Sequence, residues 1–175
     1  MNWEFISKFG KNKLIKSSTV WVIIVPIFLK ITPEIEKMFQ LTLTLPFSWE
    51  LFYYASIFFM IGTFIFQYYC PKIIYENNSY ADFNTKGVGI YRLLDYSKGK
   101  TEVESEIEVA IENKDVINEK EIFSKILNES LEDKSLSRKF IVFFYSIGIL
   151  LFSIVFLQNI ITVVLYTVEN FKIMN

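Results

Sequence analysis

Apolar and polar positions are laid out along this chain in blocks. Residues 140–168 read FIVFFYSIGILLFSIVFLQNIITVVLYTV, without a charge or a proline. An α-helix rises about 1.5 Å per residue, so this run outreaches the roughly 30 Å hydrocarbon core of a bilayer. A helix that is apolar on every side belongs in lipid rather than on a water-soluble domain. The run therefore predicts a membrane span. Residues 51–69, LFYYASIFFMIGTFIFQYY, predict another, with Ser48 able to cap it and Glu50 suited to its first turn. Residues 17–31, SSTVWVIIVPIFLKI, are shorter and contain Pro26. With Leu14 and Ile15 added, and Lys16 and Lys30 reaching outward, they make a kinked span; the alternative is a re-entrant or interfacial segment.

Between these runs the pattern changes. Thr32-Pro33-Glu34 has the form of a helix start, opening a brief helix to about Gln40. Leu41 to Leu45 alternates until Pro46, and Trp49 suits a membrane interface. Pro71, just after Cys70, ends or bends the span before it. Ser79-x-x-Asp82 resembles a capping box, followed at helical period by Tyr80, Phe83, Gly87, Ile90, Tyr91 and Leu94. One helix over about 80–96 is expected, weakened by Gly87 and Gly89. From Val103 to Ile111 apolar residues alternate with glutamates, as in a strand. Val103, Ile107 and Ile111 also keep a four-residue spacing, and the absence of a partner strand favours helix. Residues 115–131 predict a further helix with Val116, Ile117, Ile122, Phe123, Ile126, Leu127 and Leu131 on one side. So few large apolar groups predict a thin core. At the other end Trp3, Ile6 and Phe9 recur among Lys8, Lys11, Lys13 and Lys16, a basic segment that can lie in a membrane surface.

The expected fold class is thus an all-α integral membrane protein. It has three transmembrane helices, with a helical cytoplasmic domain inserted between the second and third. The divisions are a basic amphipathic segment (1–16), two spans with a short external loop (17–70), the cytoplasmic domain (71–139), the last span (140–168) and a tail (169–175). Charge supports this layout. Of 18 Lys+Arg and 19 Asp+Glu, 11 and 14 lie within 71–139. Lys72, Lys134, Arg138 and Lys139 flank membrane ends and, with the basic N-terminus, belong in the cytoplasm by the positive-inside rule. The single cysteine excludes an internal disulfide framework and fits a reducing compartment.

The chain has no histidine, so it lacks the usual general base and the commonest metal ligand. No P-loop appears, and Gly87-x-Gly89 is too short for a dinucleotide fingerprint. The carboxylates at 102, 104, 106 and 108 fit no metal site and read as a solvated face. No catalytic residue, metal or cofactor is expected. Three groups of residues bear on function. Gly148, Asn159, Thr162 and Tyr166, with Gln158 at the edge, share one arc of the last span and read as a pore or oligomer face. Packing against the chain's other spans explains them equally well. Ala55 with Gly62, and Ser56 with Thr63, form a small-residue stripe for close helix packing. Lys86, Arg92, Lys98 and Lys100 lie near Tyr80, Tyr91 and Tyr96, which would suit phosphate and base stacking; lipid headgroup contact is the other reading.

Residues 46–96 contain Pro46-Phe47-Ser48-Trp49, Tyr69-Cys70-Pro71-Lys72-Ile73-Ile74, Ser79-Tyr80 and Asp82-Phe83. In these the chain resembles small bacterial membrane proteins of anti-phage defence operons, the membrane effector of the Hailong system in particular. The Kiwa membrane component is a second resemblance, though more spans would be expected of it. The first resemblance implies a homotetrameric, ion-channel-like effector of the inner membrane. It would be held shut by an oligonucleotide from a partner nucleotidyltransferase, and its opening would depolarise the infected cell. No site residue of that family carries over by motif. From the residues themselves, an oligomeric gated pore is expected, since three spans cannot enclose one alone. The alternative is a non-conducting scaffold or sensor that recruits a soluble partner through the acidic surface of 102–112.

Overall fold

The computed structural model describes residues 2–39, 49–87, 89–113 and 118–174. Among them are nine helices and no strand: α1 Trp3–Gly10, α2 Lys13–Phe39, α3 Trp49–Tyr69, α4 Lys72–Glu76, α5 Tyr80–Thr85, α6 Gly89–Ser97, α7 Thr101–Asn113, α8 Glu119–Glu132 and α9 Ser135–Met174. They form two compact units, Met1–Phe9 with Ile65–Lys139, and Gly10–Phe64 with Phe140–Asn175.

The second unit holds most of three helices long and apolar enough to cross a membrane, within Ile15–Glu34, Trp49–Tyr69 and Ser135–Val168. Only 17%, 33% and 22% of their apolar windows is buried within the protein. So much bare apolar surface is compatible with lipid. At about 1.5 Å per residue, the 21 residues of α3 match a bilayer core and the 40 of α9 extend about 60 Å.

A reciprocal contact joins α3 to α9. Gly62 of α3 faces the ring of Tyr145, and Gly148 of α9 faces the ring of Phe59. On each helix the ring and the glycine are three residues apart, hence neighbours on one face. A Cβ on Gly62 would lie 2.6 Å from the Tyr145 ring, and one on Gly148 would lie 2.8 Å from the Phe59 ring. The helices run antiparallel, Phe52 lying on Phe152 and Phe58 on Phe144, with ring centroids 6.2 and 6.1 Å apart. α2 packs on α3 through Trp21 against Phe52 and Phe28 stacked on Trp49.

The expected break at Thr32 does not occur. α2 runs on through Pro26 and Pro33, and the Thr32 hydroxyl donates to the carbonyl of Phe28 at 2.8 Å instead of capping a new helix. Interior proline costs about 3 kcal/mol in water-soluble helices. The contacts of Trp21 and Phe28 help to hold the helix in spite of it. The loop around Pro46 and the Ser48 cap lie outside the described residues.

The first unit is built on Phe83, Leu93, Ile107, Phe123 and Ile126, all buried. Phe123 meets Tyr80 and Phe83 at centroid distances of 5.7 and 5.4 Å. This aromatic cluster fills the core expected to be thin. Ser79 caps α5 by accepting from the amide of Asp82, as the capping box predicts. The single helix expected over 80–96 is two, because Gly87 and Gly89 take φ of +62° and +58°, which end one helix and turn the chain into the next. α7 is a helix: Val103 and Ile107 are buried, while Val109, which alternation would place beside them, is 55% exposed. The helix expected from 115 begins at Glu119, and residues 115–117 lie outside the described set.

α1 differs from expectation. Trp3 and Ile6, the face expected at a membrane surface, are buried in protein. The Trp3 indole N–H donates to the carbonyl of Asp133 at 2.8 Å and its ring lies 6.4 Å from that of Phe66. Phe5 and Phe9 pair on the helix instead, at 5.0 Å.

The reciprocal glycine contact is tested by overpacking it. Gly148→Ala is expected to lower α3–α9 stability by about 1–3 kcal/mol, read as a lower melting temperature in detergent. Gly148→Ala with Phe59→Leu should recover most of the loss. Recovery no better in the double variant than in Gly148→Ala would show that the ring does not set this distance.

Candidate functional site

The arc predicted on α9 divides in two. Gly148 is buried against Phe59 and belongs to packing within the protomer. Val155 is the last buried residue of α9 among the described residues. Beyond it Asn159 is half-buried, Thr162 is exposed and Tyr166 is 67% exposed. The Thr162 hydroxyl donates to the carbonyl of Gln158, one turn back, at 2.9 Å. The Gln158 side-chain oxygen is buried and accepts no hydrogen bond among the described residues. Phe52 lies three residues from the start of α3 and pairs with Phe152. The polar part of the stripe therefore follows where the packing with α3 ends.

The small-residue stripe on α3 is buried throughout: Ala55, Ser56, Gly62 and Thr63. Ser56 returns its hydroxyl to the Phe52 carbonyl at 2.9 Å, and Thr63 and Tyr145 share a 3.5 Å hydroxyl contact. Small size at 62 and hydroxyls at 56 and 63 thus serve close approach without leaving a polar group bare.

The second cluster joins α4, α5 and α6. The Arg92 guanidinium donates to both carboxylate oxygens of Glu76, at 2.9 and 2.7 Å. The Tyr96 hydroxyl donates to Glu76 Oε2 at 2.5 Å and accepts from Asn77 Nδ2 at 3.1 Å and Arg92 Nε at 3.3 Å. Lys86 donates to Asn77 Oδ1 at 3.0 Å and pairs with Asp82. Asp95 receives Lys72, Arg92 and Lys98. Burial pushes Glu76 up, but the hydrogen bonds from Tyr96 and Arg92, with the Arg92 and Lys72 charges, outweigh it and hold the carboxyl below 4.5. The Lys98 ammonium likewise holds Asp95 below its ordinary value despite some burial. Burial and the hydrogen bond to Glu76 push the Tyr96 phenol above 10.0.

The expected phosphate ligands are therefore engaged within the molecule. Lys86 pairs with Asp82, Arg92 with Glu76, Lys98 with Asp95, and Lys100 with Glu129 and Asp133. Tyr91 is exposed. Glu76, Asn77 and Tyr96 organise this cluster and were not legible as a set. Arg92 and Tyr96, one helical turn apart, were the visible half; Glu76 is sixteen residues from Arg92 and is brought to it by the fold. On the acidic helix Glu106 pairs with Lys125, while Glu108 and Glu112 stay exposed.

No protein-family model, curated protein or solved structure matches the chain.

The cluster predicts two pH limits. The folded-state pKa of Glu76 is depressed, so its contribution is full above pH 4.5 and is lost as pH falls through the lower folded value. That of Tyr96 is raised, so its contribution is full below pH 10.0 and is lost as pH rises through the higher folded value. Tyr96→Phe removes a hydrogen bond to a carboxylate and should cost about 1.5–3 kcal/mol. It should also remove the alkaline limit, measured by melting across pH. An unchanged melting profile would mean that the hydroxyl contributes nothing.

Proposed function

We propose that the chain is one subunit of an oligomeric, gated, ion-channel-like membrane pore. The carrying observation is the polar stretch of α9. Asn159, Thr162 and Tyr166 follow Val155, the last fully buried side chain of α9 among the described residues, on a helix otherwise apolar enough for lipid. Polar groups at bilayer depth face protein or water. Further copies of the chain would supply the protein, and the lumen between them the water. Gly148 does not belong to this face.

The proposed topology puts the N-terminus and residues 71–139 in the cytoplasm and the C-terminus outside, because Lys72, Lys134, Arg138 and Lys139 flank the ends of α3 and α9. The bacterial inner membrane, a tetrameric assembly, an oligonucleotide ligand and a role in depolarising an infected cell rest on the resemblance to the Hailong effector. Pairing of Lys86, Arg92, Lys98 and Lys100 with carboxylates weighs against a preformed phosphate site there; a nucleotide would have to displace those partners. The second reading, a scaffold or sensor that engages a soluble protein, is supported by exposed Glu108, Val109 and Glu112 of α7.

Planar-bilayer recording of the reconstituted chain separates the two. The pore reading expects discrete conductance, altered by Asn159→Leu, which should also weaken subunit contact by about 1 kcal/mol per interface. Silent bilayers from folded oligomers, or an Asn159→Leu variant identical in conductance and assembly, would reject it.

A further inference from the structure

We propose that the junction where α3 ends and α9 begins binds the headgroups of anionic phospholipids. This rests on the reading that both helices span a membrane, and it adds a lipid class and the residues that recognise it. Cations of the charged unit differ in what they face. Lys72, Lys86, Arg92, Lys98, Lys100 and Lys125 each pair with a carboxylate. Lys120, Lys134 and Lys139 are exposed and make no ion pair among the described residues; of these, Lys134 and Lys139 flank the start of α9. Arg138, between them, is turned inward to the carbonyls of Leu131 and Glu132, at 3.2 and 2.6 Å.

Lys134 is the non-glycine residue with positive φ among those described, at +51°. A left-handed backbone is ordinarily left to glycine or asparagine. Its side chain reaches the last residue of α3: Nζ lies 3.4 Å from the Tyr69 carbonyl and 5.6 Å from the Tyr69 ring centroid. An ammonium has three donors, and that carbonyl takes one. Next to Tyr69 the ring of Tyr68 is 81% exposed, 4.9 Å away, and Leu136 is exposed in the first turn of α9. Phenol rings with their polar tips outward favour the headgroup level, and ammonium groups beside them complement lipid phosphates. The chain enters and leaves its two clearest spans here, so these groups meet the bilayer surface without any rearrangement.

The test uses the full chain in nanodiscs of phosphatidylcholine containing a minority of phosphatidylglycerol, with co-retained lipid counted by native mass spectrometry. Wild type should enrich phosphatidylglycerol over its bulk fraction, and each lysine removed should lower the enrichment roughly fivefold. Lys134→Gly is the informative variant, because glycine suits the left-handed backbone. It should keep or raise the melting temperature while enrichment falls roughly fivefold, whereas Lys134→Arg should retain it. Equal enrichment in wild type and the Lys134→Gly, Lys139→Gln double variant would overturn the proposal. So would displacement of the lipid by millimolar inorganic phosphate, which would identify a free-anion site. Release of wild type from vesicles by alkaline carbonate would overturn the spanning reading and the lipid site with it. Firm retention without enrichment would overturn the lipid site alone.

Discussion

Two glycines and two rings set the distance between α3 and α9, and the rest of the membrane unit follows from that distance. Between helices in lipid there is no hydrophobic driving force, so close packing has to hold them together. Phe59 with Gly62 on one helix, and Tyr145 with Gly148 on the other, interlock because the helices run in opposite directions. A slip of one turn would force the Phe59 and Tyr145 rings, now tilted neighbours at 6.5 Å, directly onto each other in one direction, and would oppose the two glycines and leave a gap in the other. Register is therefore determined, and the neighbouring pairs Phe52–Phe152 and Phe58–Phe144 fall into place with it.

That register has a consequence at the other end of α9. α3 starts at Trp49, close to Phe152, while α9 continues to Met174. Its polar residues lie on the part that α3 does not reach. A helix that was apolar throughout would need nothing there but lipid; the Asn159 amide needs protein or water, while the Thr162 hydroxyl is already bonded to the Gln158 carbonyl. The same structural fact accounts for the one residue of the arc that does not fit, since Gly148 lies on the paired half.

The charged unit works by a different balance. Its apolar core is small, and Arg92, Glu76, Tyr96 and Asn77 add a network in which each polar group meets another. A bidentate guanidinium–carboxylate contact with a phenol on the same carboxylate is stronger and more directional than scattered surface pairs. It joins α4 to α6, two short helices that would not hold their positions alone. Most of the unit's cations are absorbed in such pairs; of those that are not, Lys134 and Lys139 stand beside the start of α9.

Residue order alone determined that the protein is helical and has three segments able to cross a membrane, because length and uninterrupted apolarity are local properties. It also determined the α5 cap at Ser79, and it marked the small residues Ala55, Ser56, Gly62 and Thr63, which the fold buries. Spacing left α7 open between helix and strand, and burial of Val103 and Ile107 with Val109 outside decided it. Tertiary structure decided what each face meets. Trp3 and Ile6 could have faced lipid, yet Asp133 and Phe66 receive Trp3. Thr32-Pro33-Glu34 could have begun a helix, yet α2 continues through it. Lys86 and Lys98 pair with Asp82 and Asp95, one helical turn away, but Arg92 and Lys100 read as free cations until folding brought Glu76, Glu129 and Asp133 to them. A periodic pattern shows that a face is apolar or charged; its partner lies many residues away, and only the folded chain puts the two together.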